Sequence, residues 1–384
     1  MIKRKPVRRS CDKRIVAIMV LLLVMGLFTL FSATYYQRAA TGDALGAVKK
    51  QLLGIALGAA ACVILSQVPY RVYRSPKVML FLLASSMLLL ILVIIPGIGV
   101  SVNGSRRWLN VMGMSVQPSE PAKYAMVIMM AGALDRRAEK LDSLFGGVAP
   151  LLVVPGVMFL LILEQPNLST GGSILICALI MLFCAGLRKR YLALLSACGL
   201  ALGAFYAWSA PYRRERLLSF RDPFAKMADE GYQLSQSLIA LGSGGLFGMG
   251  LGRGRQKFAY LPYPESDFIF AIVGEDFGLA GCTAVIVLYA AVVYCGLRIS
   301  LSCSDRYGCL LGAGITSMIG LQAFINMGVV TGIMPTTGLP LPFFSAGGTS
   351  VAVIMAAVGI LLNISRASGY AIVAEQTQDG GMRR

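Results

Sequence analysis

The stretch DFIFAIVGEDFGLAGCTAVIVLYAAVVYCGL, residues 267–297, begins with a carboxylate and continues as a long apolar run. It exceeds the ~20 residues that a helix needs to cross a bilayer. A polar, strongly basic segment comes just before it, so Asp267 stands where a membrane helix would meet water. The chain has no histidine, so any proton transfer falls to a carboxylate, a lysine or a tyrosine. A carboxylate at such a boundary, beside an arginine-rich loop, suits chemistry on an anionic lipid. Its plain alternative is a helix N-cap, which aspartate also does well.

Similar apolar runs lie on either side. Together with 267–297 they number ten, at roughly 15–35, 51–68, 78–96, 118–134, 146–164, 171–187, 191–209, 308–331 and 348–365. Hydrophobic residues make up 57% of the 384 and charged residues only 14%. The first run follows Lys3, Arg4, Lys5, Arg8, Arg9, Lys13 and Arg14, like a signal peptide, but it is too long for one and more runs follow. No periodicity suggests strands, and a barrel would need short alternating segments. The expected fold class is all-α: a polytopic integral membrane protein of about ten transmembrane helices, one membrane domain over residues 1–384, with a large outer loop between helices 7 and 8.

Lysine and arginine set the orientation. With a cytoplasmic N-terminus, the inner segments are 1–14, 69–77, 135–145, 188–190, 298–307 and the 366–384 tail. All of these carry basic residues, whereas the turns at 165–170 and 332–347 carry none. The net charge of +17 is thus a topology signal and an attraction to the membrane surface. It does not point to nucleic acid, since no basic stretch is interleaved with exposed aromatics on a soluble domain. The nine cysteines fall in predicted spans or on the inner side, with no CxxC pair, and are read as small packing residues.

Soluble-like sequence concentrates in the outer connections. Residues 210–266 carry Arg213, Arg214, Arg216, Arg221, Lys226, Arg253, Arg255 and Lys257 against Glu215, Asp222, Asp229, Glu230 and Glu265. This is either an ordinary solvated loop or a phosphate-binding surface, for which arginine's planar fork is suited. The glycines between Gly242 and Gly254 mark a flexible or tightly turned segment without a phosphate-loop signature. A second connection, 97–117, contains Asn103-Gly-Ser-Arg-Arg-Trp108 and enters a helix through Gln117-Pro-Ser-Glu-Pro-Ala-Lys123. Glu120 and Lys123 are i, i+3 neighbours able to pair, and ionisable groups inside a span are functional suspects. The stretch 334–350, MPTTGLPLPFFSAGGTS, breaks helix with three prolines. It is either a re-entrant loop lining a site or a tight connection.

Taken in order along nearly the whole chain, these segments resemble the SEDS family (shape, elongation, division and sporulation) of bacterial cell-wall polymerases. The match is carried by residues 103–108, Gln117-Pro-Ser-Glu120 with Lys123, Gln165-Pro-Asn-Leu-Ser-Thr170, Tyr212-Arg-Arg-Glu-Arg216 with Asp222-Pro223, Gly231-Tyr-Gln-Leu-Ser-Gln236, 242–248, 264–270, Gly274-Glu-Asp-Phe-Gly278 and 334–350. Residues 256–262, QKFAYLP, look more like the division branch, of FtsW type, or its sporulation relative, than the elongation branch. Asn167 stands where the family usually has Asp, and Ala346 where it usually has Tyr.

The resemblance implies a peptidoglycan glycosyltransferase of the cytoplasmic membrane that polymerises lipid II on the outer face, both termini being cytoplasmic. A hydroxyl of the acceptor sugar displaces the α-linked pyrophosphate of the donor to form a β-1,4 bond, with inversion. This single displacement needs a general base, assigned to Asp267, and stabilisation of the departing pyrophosphate. Arg107, Lys123, Arg213 and Arg216 are the candidate cations, Glu120 fixes Lys123, and Gln236 and Ser345 complete the substrate-binding set. No metal ligands are assigned, although a divalent cation such as Mg²⁺ could bridge the phosphates. Glu275, about 12 Å deeper by helix rise, is read as a buried hydrogen-bonding or conformational residue. The implied partners are a class B penicillin-binding protein and other division proteins. The alternatives are a lipid II flippase, for which no convincing internal repeat is found, and a non-catalytic division scaffold.

Overall fold

The computed structural model describes residues 11–39, 42–102, 105–111, 113–209, 214–215, 219–227, 231–258 and 260–379. Each of the ten apolar runs lies in a helix: α1 (Lys13–Ala39), α2 (Gly46–Gln67), α3 (Pro76–Ile94), α4 (Ser119–Arg136), α5 (Ala149–Leu163), α6 (Leu168–Cys184), α7 (Lys189–Trp208), α9 (Ile269–Leu301), α10 (Arg306–Val330) and α11 (Gly348–Asp379). A shorter helix, α8 (Tyr232–Ser243), lies between α7 and α9. Length and composition fit α1, α2, α3, the run containing α5, α9, α10 and α11 for crossing a membrane. Helix α6 is apolar but shorter. Helix α4 carries Glu120, Lys123, Asp135 and Arg136 within 18 residues. The chain is a multi-pass membrane protein.

Local chemistry sets several helix starts. Pro76 opens α3, where its fixed φ suits the first turn. The Asn167 side chain accepts the Thr170 N–H at 3.2 Å to cap α6, and Asp305 caps α10 through Gly308. Asn167 therefore performs a capping task that an aspartate could perform equally.

The 97–117 connection departs from the all-helical expectation. It folds as a three-stranded antiparallel sheet of β1 (Gly99–Val102), β2 (Ser105–Val111) and β3 (Met114–Val116). Val100 faces Trp108 and Leu109 faces Val116 across the ladders. Gly113, at φ 80°, supplies the positive φ in the turn between β2 and β3. Thr349 at the head of α11 donates to the Ser115 carbonyl at 3.0 Å, which fixes the sheet to the bundle.

Helix α10 packs against α4, α6, α8, α9 and α11 and so runs through the middle of the bundle. Helices α2 and α11 meet through small residues. A Cβ on Gly54 would lie 2.3 Å from the Gly348 Cα, and one on Gly359 would lie 2.8 Å from the Cys62 Cα.

Helix α9 is interrupted at Gly278, where φ 66° and ψ −161° break the helical path. The freed backbone is taken up by the segment after α8. Met249 and Gly250 donate to the carbonyls of Glu275 and Asp276 at 2.9 and 3.1 Å, and Leu279 and Ala280 donate to those of Gly245 and Leu246 at 2.9 and 3.0 Å. Part of the 210–266 connection thus lies alongside a membrane helix, which irregular backbone can do only when its polar groups are satisfied within protein. The same junction holds a buried ion pair: Lys257 Nζ lies 2.6 Å from Asp276 Oδ1, and Ser32 of α1 bonds both partners. Lys257 is therefore a structural cation rather than a solvated one.

On the opposite end of the bundle, Arg74 pairs with Asp135 at 2.8 Å and Tyr70 donates to Asp305. Burial first, and then that hydrogen bond, push the Tyr70 phenol well up, so it stays protonated as a donor.

Removing one partner of a buried pair leaves an uncompensated charge, at a cost of about 3–5 kcal/mol. Asp276→Ala is expected to lower the thermal unfolding midpoint in detergent, and Lys257→Met with Asp276→Leu to recover most of the loss. A double variant no more stable than Asp276→Ala alone would show that the pair does not act through charge balance.

Candidate active site

Asp267 occupies the last turn before α9 and is half-buried. Its carbonyl accepts a hydrogen bond from Asn326 Nδ2 on α10 at 2.7 Å, and the same nitrogen donates to the Leu339 carbonyl at 2.7 Å. Two carbonyl acceptors fix the orientation of the amide, since turning it over would set its oxygen against both. Asn326 thus ties the residue bearing the carboxylate to the 332–347 stretch.

That stretch folds inward, with Leu339, Leu341, Phe343, Phe344 and Ser345 buried. Its polar backbone is bound piece by piece. Gln322, one turn before Asn326, donates to the Pro340 carbonyl at 2.9 Å. Tyr289 of α9 donates to the Pro342 carbonyl. Ser345 Oγ accepts from Leu341 N at 2.7 Å and donates to the Ser266 carbonyl at 2.5 Å. Ala346 N donates to the Glu265 carbonyl at 2.7 Å. Gln51 of α2 bonds the Ser345 carbonyl at 3.2 Å and Gly347 N at 3.1 Å. Phe343 sits at φ 68°, a conformation kept because its neighbours are held on every side.

Gly338 lies between two of the functional candidates. A Cβ there would stand 3.2 Å from Asp267 Oδ2 and 3.8 Å from Arg107 Nη1. Arg107, on β2, is half-buried and reaches the turn between α5 and α6, where Nε donates to the Gln165 carbonyl at 3.0 Å and Nη2 to that of Pro166. Carboxylate and guanidinium therefore both come close to one glycine, whose lack of a side chain permits their approach.

Lys123 and Glu120 pair at 2.8 Å as the i, i+3 spacing implies, and they are 0% and 1% exposed. Lys123 also donates to Gln322 Oε1 at 2.7 Å, and Ser350 donates to Glu120 Oε2 at 2.7 Å. In this conformation the lysine is a strut between α4, α10 and α11. Gln236 is buried on α8, between Ser235 and Ser237, whose hydroxyls bind the carbonyls of Pro223 and Val330. Ser345 holds backbone, as described. Arg213 and Arg216 lie outside the described residues. Glu275 is fully buried and accepts the backbone N–H groups of Arg255 and Gln256.

Asn326, Gln322, Gln51 and Tyr289 were not among the expected site residues. Two of them had a signal. Gln322 and Asn326 are amides four apart inside an apolar run, hence neighbours on one helix face.

A family model described as Cell cycle protein, covering the FtsW, RodA and SpoVE proteins, matches residues 13–370, and the chain belongs to this family. Stage V sporulation protein E of Bacillus subtilis is 41% identical over 364 residues, covering 94% of this chain and 99% of that protein. The probable peptidoglycan glycosyltransferase FtsW of Geobacter metallireducens is 40% identical over 318 residues, covering 83% and 84%. Among solved structures, a chain of a peptidoglycan synthase complex that coordinates polymerization and crosslinking matches with a TM-score of 0.75 at 25% identity, over 94% of this chain and 98% of that one. The rod shape determining protein RodA of Thermus thermophilus gives 0.65 at 25% identity, over 93% and 97%.

Asn326→Leu would take this donor from the buried Leu339 carbonyl and the part-buried Asp267 carbonyl, at about 1–3 kcal/mol for the buried one and less for the other. The expected result is a clear fall in thermal unfolding midpoint, larger than for substitution of an exposed residue. An unchanged midpoint would remove Asn326 as the tie between Asp267 and the 332–347 stretch.

Proposed function

We propose that this protein is a peptidoglycan glycosyltransferase that polymerises lipid II into glycan strands on the outer face of the cytoplasmic membrane, by inverting transfer with Asp267 as general base. The observation that carries this is the placement of Asp267 and Arg107 on either side of Gly338. That arrangement offers a proton acceptor and a cation to one reacting centre. The likeness to FtsW of Geobacter metallireducens, a probable peptidoglycan glycosyltransferase, supports the reaction class. The positive-inside distribution supports ten crossings, cytoplasmic termini and an extracytoplasmic site.

In this mechanism Asp267 takes the proton of the acceptor sugar's hydroxyl as it attacks the anomeric carbon, and Arg107 faces the charge that develops on the leaving pyrophosphate. The Lys123–Glu120 pair holds α4, α10 and the start of α11 in register. Arg213 and Arg216 would add cations from the outer loop. Among the described residues no group of three or more Asp, Glu, His or Cys converges. A Mg²⁺ ion would therefore be held by Asp267 together with the substrate's phosphates, which suits an ion that keeps several waters. Bound there, it would neutralise pyrophosphate charge. The synthase complex among the structural relatives supports a crosslinking partner of the class B penicillin-binding type, working with other division proteins.

Asp267→Asn keeps size but cannot accept a proton, so polymerisation of purified lipid II is expected to fall by about 10²–10⁴-fold with folding intact. Arg107→Ala is expected to reduce turnover while costing no more than about 1–3 kcal/mol of stability to unfolding. Near-normal product from well-folded Asp267→Asn would remove Asp267 as base.

The interrupted α9 is the feature that favours the flippase reading, since broken helices recur in transporters. One reconstituted preparation separates the two readings. A polymerase lengthens glycan from lipid II already on the outer leaflet, without an energy source. Labelled lipid exchanging between leaflets in Asp267→Ala, with no polymer from wild type, would establish the transporter instead.

A further inference from the structure

Glu275 lies at the break in α9 and is fully buried. Its Oε1 accepts both the Arg255 N–H at 2.5 Å and the Gln256 N–H at 3.0 Å. Its Oε2 is buried with no hydrogen-bond partner among the described residues, and the same holds for the side-chain oxygen of Gln256 in the turn that Glu275 binds. Gly254 completes the enclosure: a Cβ there would lie 2.3 Å from both Oε2 and Cδ of Glu275. The charged groups around it are Asp276 on its own helix and Lys257 and Arg255 in the turn. Asp276 and Lys257 already balance each other at 2.6 Å, with Ser32 of α1 bound to both. The Arg255 residue is exposed. Helix α8 brings the glycine Gly244 against the backbone of Gly274 and Glu275.

A second negative charge here would leave the cluster net negative inside a membrane protein, where an unmatched buried charge is costly. Both amide donors fall on Oε1, so ionisation would leave Oε2 buried with no donor of its own. We propose that Glu275 is carried as the neutral carboxylic acid, with the proton on Oε2, and that it is a positioning residue for the segment that delivers Asp267. The path is short. Glu275 fixes the 254–256 turn, the Gln256 carbonyl accepts Leu261 N at 2.9 Å, and buried Leu261 leads on to Asp267. The protonation state stands on its own, whereas the positioning role rests on the polymerase reading.

The test uses the full-length protein in detergent. An infrared difference spectrum of wild type against Glu275→Gln is expected to show the carbonyl stretch of a protonated carboxyl lost in the variant. A carboxylate signal in its place overturns the proposal. Glutamine offers the same acceptor and replaces O–H with N–H. Glu275→Gln is thus expected to keep lipid II turnover within about twofold of wild type, whereas Glu275→Ala and Gly254→Ala lose about tenfold or more in kcat at unchanged KM. Glu275→Gln as inactive as Glu275→Ala, or Glu275→Ala as active as wild type, overturns the positioning role. Normal polymerisation by Asp267→Asn would defeat the catalytic reading and leave the infrared result standing.

Discussion

Backbone that is neither helix nor strand can sit among membrane helices only where the protein itself takes up its N–H and C=O groups. Two segments here are of that kind. The 332–347 stretch is satisfied by side chains: Asn326 and Gln322 from α10, Tyr289 from α9 and Gln51 from α2. The 245–250 segment is satisfied by the helix it interrupts, exchanging four backbone hydrogen bonds around Gly278. The first is tied to Asp267 through Asn326, and the second is bound further along the helix that Asp267 precedes. The carboxylate is therefore positioned by groups whose own hydrogen bonds would be lost if it moved.

Two buried ion pairs among the described residues follow one plan. In each, a lysine and a carboxylate make a neutral unit with a serine from another element: Ser350 with Lys123 and Glu120, Ser32 with Lys257 and Asp276. Each joins parts of the chain far apart in sequence, α4 with α10 and α11 in one case and the 210–266 connection with α1 and α9 in the other. A neutral unit limits the electrostatic cost of burial while keeping directional bonds that apolar side chains cannot make. The candidate cation Arg107 is by contrast half-buried, and it donates to the carbonyls of Gln165 and Pro166.

Much of this architecture was legible in the sequence. All ten apolar runs became helices because length and hydrophobicity decide that question with little help from context. The Glu120–Lys123 pair followed from i, i+3 spacing. The small sheet was missed although Asn103-Gly and Met112-Gly separate short runs containing Val100, Val102, Trp108, Leu109 and Val116, a hairpin pattern. The apolar runs on either side outweighed it. Lys257 was counted with the solvated loop cations because its partner, Asp276, lies in a different segment and only the fold unites them. For the same reason the roles of Gln51 and Tyr289 had no local signal: each serves a carbonyl or amide that is hundreds or tens of residues away. The break at Gly278 was hidden inside an apolar run long enough to be read as continuous.

The seam between α2 and α11 bears on how the molecule can move. Where Gly54 meets Gly348 and Cys62 meets Gly359, main chain rests almost directly on main chain. Side chains can change rotamer to accommodate sliding, but touching backbones have no such slack. The two helices therefore travel as one rigid strut, and the strut reaches the site at both of its members, through Gln51 and through Ser350. Whatever shape changes accompany a reaction cycle, this side of the site behaves as the fixed wall against which the others are displaced.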